Sequence, residues 1–144
     1  MAKALALGAD AVSIGVGALI ALGCNRPSWW GQGAEHDATA DYRALGTAPG
    51  YCNQCQTGRC PVGVTTQEDD LSARLDPEVG ARWVTNYLKA LTMELTTITR
   101  ACGKSDVHNL EPEDLVALTI EAAAMAQVPL AGTDWIPGHH GARD

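Results

Sequence analysis

Cys52-Asn-Gln-Cys55-Gln-Thr-Gly-Arg-Cys60 places three of the chain's five cysteines within one short stretch, and Cys24 lies upstream of it. Thiols this dense serve as a disulfide framework, a zinc site or an iron–sulfur ligand set. Compartment separates the first option from the others. Met1-Ala-Lys leads into a mildly amphipathic stretch with an internal Gly8-Ala9-Asp10. A charged start, a long apolar segment and a small-residue cleavage site are missing, so this is not read as a secretory signal. The expectation is a reducing, cytoplasmic setting in which metal is favoured over disulfides. The plainer alternative is a loop of free cysteines.

The 144 residues suffice for one domain with a real core. No uninterrupted apolar run is long enough for a transmembrane helix, so no membrane partner is expected. A formal net charge of -7 argues against a nucleic-acid surface, which needs clustered Lys and Arg to displace counterions.

Four regions follow from pattern. In residues 1–23, Ala2–Leu7 are helix formers and Gly8 is a stop. Ala9-Asp-Ala-Val-Ser-Ile-Gly15 reads as a buried strand, Gly15-Val16-Gly17 as a turn, and Ala18–Leu22 as a helix, together one β/α half-unit. Residues 24–67 form a cysteine-rich loop, with a short helix expected within Asp37–Leu45. A loop that long needs something to order it, and a bound cluster would do so. Residues 68–130 turn helical. Asp76 suits an N-cap, Pro77 the first helical position and Gly103 the stop. Val79, Trp83, Tyr87, Leu88, Leu91, Leu95, Ile98 and Cys102 recur at helical spacing. A second helix is expected from Glu111-Pro112, with Leu115, Leu118, Ala122, Met125 and Ala126 as its stripe and Pro129 as its end, packed on the first. Residues 131–144 read as a coil tail. A single strand cannot satisfy its own backbone, so other strands must come from elsewhere.

Each motif has a plainer counterpart. Amides at Gly15 and Gly17 suit a phosphate, and a simple tight turn is the competing explanation. Cys52-x2-Cys55-x4-Cys60 lacks the second Cys-x2-Cys of a zinc ribbon, and its uneven spacing suits iron–sulfur ligation better than zinc. His36 could complete a zinc set with the three cysteines, although a lone loop histidine is more often solvated. Cys102, on an apolar helix face, reads as a small buried hydrophobe. Trp29-Trp30 fits packing. Asp69-Asp70 and Glu113-Asp114 fit capping or solvent, and His139-His140 a tail. No Ser/His/Asp set and no phosphate-binding P-loop is present, and no catalytic residue is assigned.

Lys3-Ala-Leu-Ala-Leu-Gly-Ala-Asp-Ala-Val, Ile14-Gly15, Ala21-Leu-Gly-Cys24 and Cys55-Gln-Thr-Gly-Arg-Cys60-Pro-Val-Gly-Val-Thr-Thr-Gln67 together resemble the FMN-dependent glutamate synthase domain. His108-Asn-Leu-Glu-Pro-Glu-Asp-Leu looks most like the branch with N-methylglutamate synthase subunits. The resemblance runs from Ala2 to about Gly138. It implies an α-rich fragment of a (β/α)8 TIM barrel: the last barrel strand and helix, the cysteine loop and the C-terminal helices. It implies FMN, a [3Fe–4S] cluster, and reduction of 2-iminoglutarate, formed from 2-oxoglutarate and ammonia, to glutamate. Matched motif to motif, Cys24, Cys55 and Cys60 fall on the cluster ligands, and Gly15 and Gly17 in the last phosphate-side loop. A long insertion between Cys24 and Cys55 departs from the family pattern and adds Cys52. Two alternatives stay open there: a [4Fe–4S] cluster with Cys52 as fourth ligand, or Cys52 in place of Cys24. The other departure is that the chain starts near the last barrel strand. The expected partners are therefore the remaining synthase domains or subunits, amidotransferase-like and electron-donating, together with a 2-oxoglutarate-type substrate. FMN is expected only with the rest of the barrel, and the chain alone is expected to be inactive. The alternative from another class is a non-catalytic, zinc-stabilised interaction module.

Overall fold

A computed structural model describes residues 1–31 and 33–139. Along the chain run α1 (Ala2–Ala6), α2 (Val16–Leu22), β1 (Ser28–Gly31), β2 (Ala34–Asp37), α3 (Thr39–Ala44), α4 (Asp69–Ser72), α5 (Pro77–Ala101) and α6 (Ile120–Ala126). Single 3-10 turns occur at Cys55–Thr57, Val107–Asn109 and Pro112–Asp114. The chain divides into two units. One comprises residues 1–13 and the chain from Leu91 onward, and the other comprises Ile14–Ala90.

Asp76 begins α5 as its sequence suggests. Its Oδ1 accepts the N–H groups of Glu78 at 2.9 Å and Val79 at 3.1 Å, satisfying two donors the helix cannot pair itself. At the other end Gly103, at φ 75°, lets the Gly103 and Lys104 N–H groups fold back onto the Arg100 and Thr99 carbonyls. The stripe expected on α5 is only partly covered. Val79 and Leu95 are buried, whereas Leu88 and Ile98 are exposed.

In the unit built from the two chain ends, Leu5 and Ala6 of α1 meet Leu95 and Leu110, with Val12 and Cys102 at the edge. Ala117, Ala123 and Val128 form a separate cluster. The second helix differs from expectation. Glu111-Pro112-Glu113-Asp114 forms only one 3-10 turn, closed by a reciprocal capping box between Glu111 and Asp114. Residues 115–119 then run extended, and Ala117 N–H donates to the Pro129 carbonyl at 2.8 Å. The helix starts at Ile120, where the Thr119 hydroxyl accepts the Ala122 N–H. Leu118 and Met125, expected in the stripe, are 85% and 86% exposed. α5 and α6 therefore feed separate clusters instead of one seam.

In the other unit α2 is wholly apolar in sequence, yet none of its residues is buried. Its C-terminal end rests on α5: an added Cβ at Gly80 would come within 2.9 Å of Leu22. The strand expected at residues 9–15 does not form. A strand needs a neighbouring ladder, and the sheet among the described residues is the antiparallel pair β1–β2. That hairpin, absent from the sequence reading, pairs Trp29 with His36 and Trp30 with Glu35. The chain is helix-rich with a two-stranded sheet among its described residues, an architecture compatible with a piece of a larger barrel domain, although it does not itself show barrel strands. The coil tail agrees as far as His139, whereas His140 and the residues after it lie outside the described residues.

Candidate functional site

Cys24 is set by the end of α2. Gly23 takes φ 121°, its N–H bonds to the Ile20 carbonyl, and the Cys24 N–H bonds to the Leu19 carbonyl at 2.9 Å. This is the helix-terminating turn that glycine permits. It leaves Cys24 directly after the C-cap residue Gly23. Asn25 follows in the left-handed region, at φ 63°, which asparagine tolerates better than most residues. Its side chain pairs twice with the backbone of Cys52: Oδ1 accepts the Cys52 N–H at 2.8 Å, and Nδ2 donates to the Cys52 carbonyl at 3.3 Å. The insertion thus begins and ends at one place.

Between those ends the inserted segment folds back on the cysteines. The Trp29 ring stacks on His36 with centroids 4.1 Å apart. Ala38, Tyr42 and Val62 form a small core against which Trp29, Cys52 and Cys60 pack. Arg74 ties three parts together. Its Nη1 donates to Asp41 Oδ2 at 2.7 Å and to the Pro61 carbonyl at 2.8 Å, and its guanidinium lies 5.4 Å from the Trp29 ring centroid.

Cys24, Cys52, Cys55 and Cys60 line one recess, with Tyr42 and Thr65 in its wall. All four are free thiols, with Cys55 exposed and the others partly covered. Burial pushes the Cys24 thiol up, and the nearby sulfurs of Cys60, Cys55 and Cys52 push it further, against an opposing bond from the Asn25 N–H. Cys60 differs. Burial raises it too, but the N–H groups of Thr65, Val62 and Val64, helped by the Thr65 hydroxyl, outweigh burial and hold the thiol below its ordinary value. The chain after Cys60 therefore wraps an anion-binding nest around its sulfur. Gly63 makes that turn possible. It sits at φ 77°, and a Cβ there would lie 2.6 Å from the Leu71 carbonyl oxygen.

Of the expected site residues, the four cysteines come together at this recess. Among the described residues no group of three or more His, Cys, Asp or Glu could hold a metal ion as the side chains stand. His36 is occupied in the stack on Trp29 and does not line the recess. Cys102 packs beside the Leu5–Leu95 cluster of the other unit. Gly15 sits just before α2, in open space. Gly17 has a packing reason, since a Cβ there would meet the Tyr87 hydroxyl at 2.5 Å. Asn25, Tyr42 and Thr65 were not singled out in the sequence. Asn25, directly after the first cysteine of a glycine- and proline-rich loop, carried the one local hint.

The donor chemistry fits a thiolate-ligated cluster: four cysteines on one recess, a nest of N–H groups at one sulfur, and two hydroxyls in the wall. The recess is a four-cysteine site in a helix-rich chain. Comparison with known proteins then gives its kinship. A family model described as a conserved region in glutamate synthase matches residues 1–28 and 32–105. The chain belongs to the glutamate synthase family. It is 56% identical over 138 residues to a glutamate synthase large subunit-like protein of Rhizobium meliloti, covering 96% of this chain and 29% of that protein. It is 40% identical over 108 residues to an archaeal glutamate synthase [NADPH] of Methanocaldococcus jannaschii, covering 75% of this chain and 16% of that protein. An archaeal-type glutamate synthase [NADPH] of Dehalococcoides mccartyi is 33% identical over 134 residues, covering 90% of this chain and 22% of that protein. The chain thus spans less than a third of the length of these relatives. No solved structure matches it. Among the described residues, no helix is long and apolar enough to cross a membrane.

Proposed function

We propose that this chain is the cluster-bearing portion of a glutamate synthase-type flavin oxidoreductase. The observation that carries the proposal is the convergence of Cys24, Cys52, Cys55 and Cys60 on one recess across a long insertion. In this reading Cys24, Cys55 and Cys60 hold an iron–sulfur cluster. Cys52 supplies the fourth thiolate that a [4Fe–4S] cluster takes and a [3Fe–4S] cluster does not need. Bound, the cluster supplies single electrons and FMN supplies the hydride for reduction of a 2-imino acid.

The chain's own residues bind and shield. The N–H groups of Val62, Val64 and Thr65 favour Cys60 as thiolate, the form that ligates metal. Tyr42 walls the recess, and Trp29 packs against the small core behind it, which limits water at the sulfurs. Gly15 and Gly17 sit where the last barrel loop would meet the flavin phosphate, and the rest of that site belongs to the remaining barrel. The partner is therefore the polypeptide or segment that provides the other strands, with amidotransferase-like and electron-donor components beyond it. The substrate class is 2-oxoglutarate, with ammonia as nitrogen donor, or methylamine if the chain belongs to the N-methylglutamate branch. A reducing, cytoplasmic setting suits the free thiols. Membership of an oxidoreductase family speaks for this reading over a zinc-stabilised interaction module.

The test is complementation. The iron-loaded chain alone should give no 2-oxoglutarate-dependent oxidation of reduced FMN, because the reacting groups of a barrel enzyme come from several strands. Combined with a polypeptide carrying the upstream barrel, and supplied with 2-oxoglutarate and ammonia, it should give that oxidation together with an equivalent amount of glutamate. Turnover by the chain alone, or none from the loaded combination, contradicts the proposal.

A further inference from the structure

The Tyr42 hydroxyl is an anomaly in this fold. Tyr42 is 1% exposed, and its hydroxyl is buried without any hydrogen-bond partner. Buried hydroxyls are almost always paired, so an orphan calls for a reason. The position supplies one. Tyr42 lines the four-cysteine recess, and Cys52 and Cys60 pack against the small core it forms with Ala38 and Val62. It is therefore a donor facing a space ringed by sulfur. The Thr65 hydroxyl shares the predicament. It lies in the same wall, is buried, and makes no hydrogen bond of good geometry.

From these two orphans we infer that the Tyr42 hydroxyl, seconded by that of Thr65, donates a hydrogen bond to a sulfur of the cluster proposed for this recess and so sets its reduction potential. The inference rests on the proposed function, because the acceptor it gives these donors is a sulfur of that cluster. Reduction adds negative charge, and a hydrogen bond to sulfur stabilises the more negative state. The donor therefore raises the potential, and its removal lowers it. Tyr42 lies on α3, inside the insertion between Cys24 and Cys55, so the insertion brings its own tuning group. Tyr42 is a positioning and tuning residue, not a ligand.

The experiment is anaerobic reconstitution of the full chain with iron and sulfide, followed by redox titration of wild type, Tyr42→Phe, Thr65→Val and Tyr51→Phe. Tyr51 is 84% exposed and serves as control. Iron and sulfide are counted first. Wild-type protein that takes up neither overturns the cluster reading and this inference with it. With loading established, Tyr42→Phe should keep the wild-type iron and sulfide count and titrate at a more negative potential. Thr65→Val should move in the same direction, and Tyr51→Phe should not move. In the metal-free chain, Tyr42→Phe should be as stable as wild type or more so, since it deletes a buried hydroxyl that has no partner there. An unchanged potential in loaded Tyr42→Phe overturns the inference alone. So does loss of the cluster from that variant, because every ligand is still present.

Discussion

Asn25 and Cys52 pair side chain to backbone in both directions, at 2.8 Å and 3.3 Å, across 27 residues of sequence. The Gly50 N–H adds a third bond to the Asn25 carbonyl at 3.0 Å. Asn25 imitates a neighbouring strand, offering one acceptor and one donor to a single residue. Because it follows Cys24 directly, the same contact brings the first cysteine to the local Cys52–Cys60 group. A long insertion can separate two ligands in sequence without separating them in space, provided that its ends are pinned.

Replacing Asn25 tests that pin. Asn25→Gly keeps the left-handed backbone and loses both side-chain bonds, at about 1–2 kcal/mol from the usual net worth of a hydrogen bond. Asn25→Ala loses the same bonds and also places a Cβ at φ 63°, adding about 1 kcal/mol. Urea unfolding of the metal-free chain should rank wild type, Gly and Ala in that order. Equal stability of all three would show that the loop closes without Asn25.

Gly63 and Gly58 make a second comparison. Both have positive φ, but a Cβ at Gly58 meets open space, while one at Gly63 collides with the Leu71 carbonyl oxygen at 2.6 Å and the Leu75 nitrogen at 3.0 Å. Gly58→Ala should cost about 1 kcal/mol, the conformational penalty alone. Gly63→Ala should cost at least about 3 kcal/mol, because strain and a backbone clash act together. It should also disturb the N–H nest around Cys60. Iron uptake of the two variants, read beside their denaturant midpoints, checks both effects.

Asp37 carries a pH signature. The Thr39 hydroxyl and then the Thr39 N–H bond its carboxylate, at 2.6 Å and 3.0 Å, and hold the carboxyl below its ordinary value. A depressed carboxyl stabilises the fold fully above its unfolded value of about 3.9, and the benefit is lost as pH falls through the lower folded value. Thermal melts of the metal-free chain should show wild type above Asp37→Asn near pH 6, with the gap closing below about pH 4. A gap that widens on acidification would reverse the assignment.

Local signals were legible, and long-range ones were not. Asp76, Pro77 and Gly103 bound α5 in sequence and in structure because caps act within one turn. The cysteine spacing named Cys52, Cys55 and Cys60, and the family resemblance named Cys24, all four of which line the recess. The strand expected at 9–15 had the right composition, but a strand exists only with a partner, and composition says nothing about partners. The hairpin of β1 and β2 went unread because Gln32-Gly33 is a weaker turn signal than Asn-Gly, and two tryptophans obscured the alternation. Pro112 marked a real helical turn, but Thr119 capped a new start and shortened α6. Tyr42 could not be recognised from sequence, since its role comes from the fold of the insertion over the cysteines.

Association provides a further check. Val16 and Ile20 of α2 are 66% and 52% exposed, so this apolar helix presents an uncovered face. The purified chain should self-associate as its concentration rises, and Val16→Glu with Ile20→Glu should suppress this in sedimentation velocity. A wild-type chain that stays monomeric at high concentration would argue that this face needs no cover.

The central claim is that the four-cysteine recess holds an iron–sulfur cluster, and metal analysis of the anaerobically prepared chain tests it most directly. Iron, acid-labile sulfide and zinc are counted in wild type and in Cys24→Ser, Cys52→Ser, Cys55→Ser, Cys60→Ser and Cys102→Ser. Wild type should contain iron and sulfide in comparable amounts and little zinc. Cys24→Ser, Cys55→Ser and Cys60→Ser should lose iron, and Cys52→Ser should retain at most a three-iron form. Cys102→Ser should be unaffected, since Cys102 packs on the Leu5–Leu95 cluster. Stoichiometric zinc without sulfide, or iron that survives in Cys24→Ser, Cys55→Ser and Cys60→Ser, would contradict it.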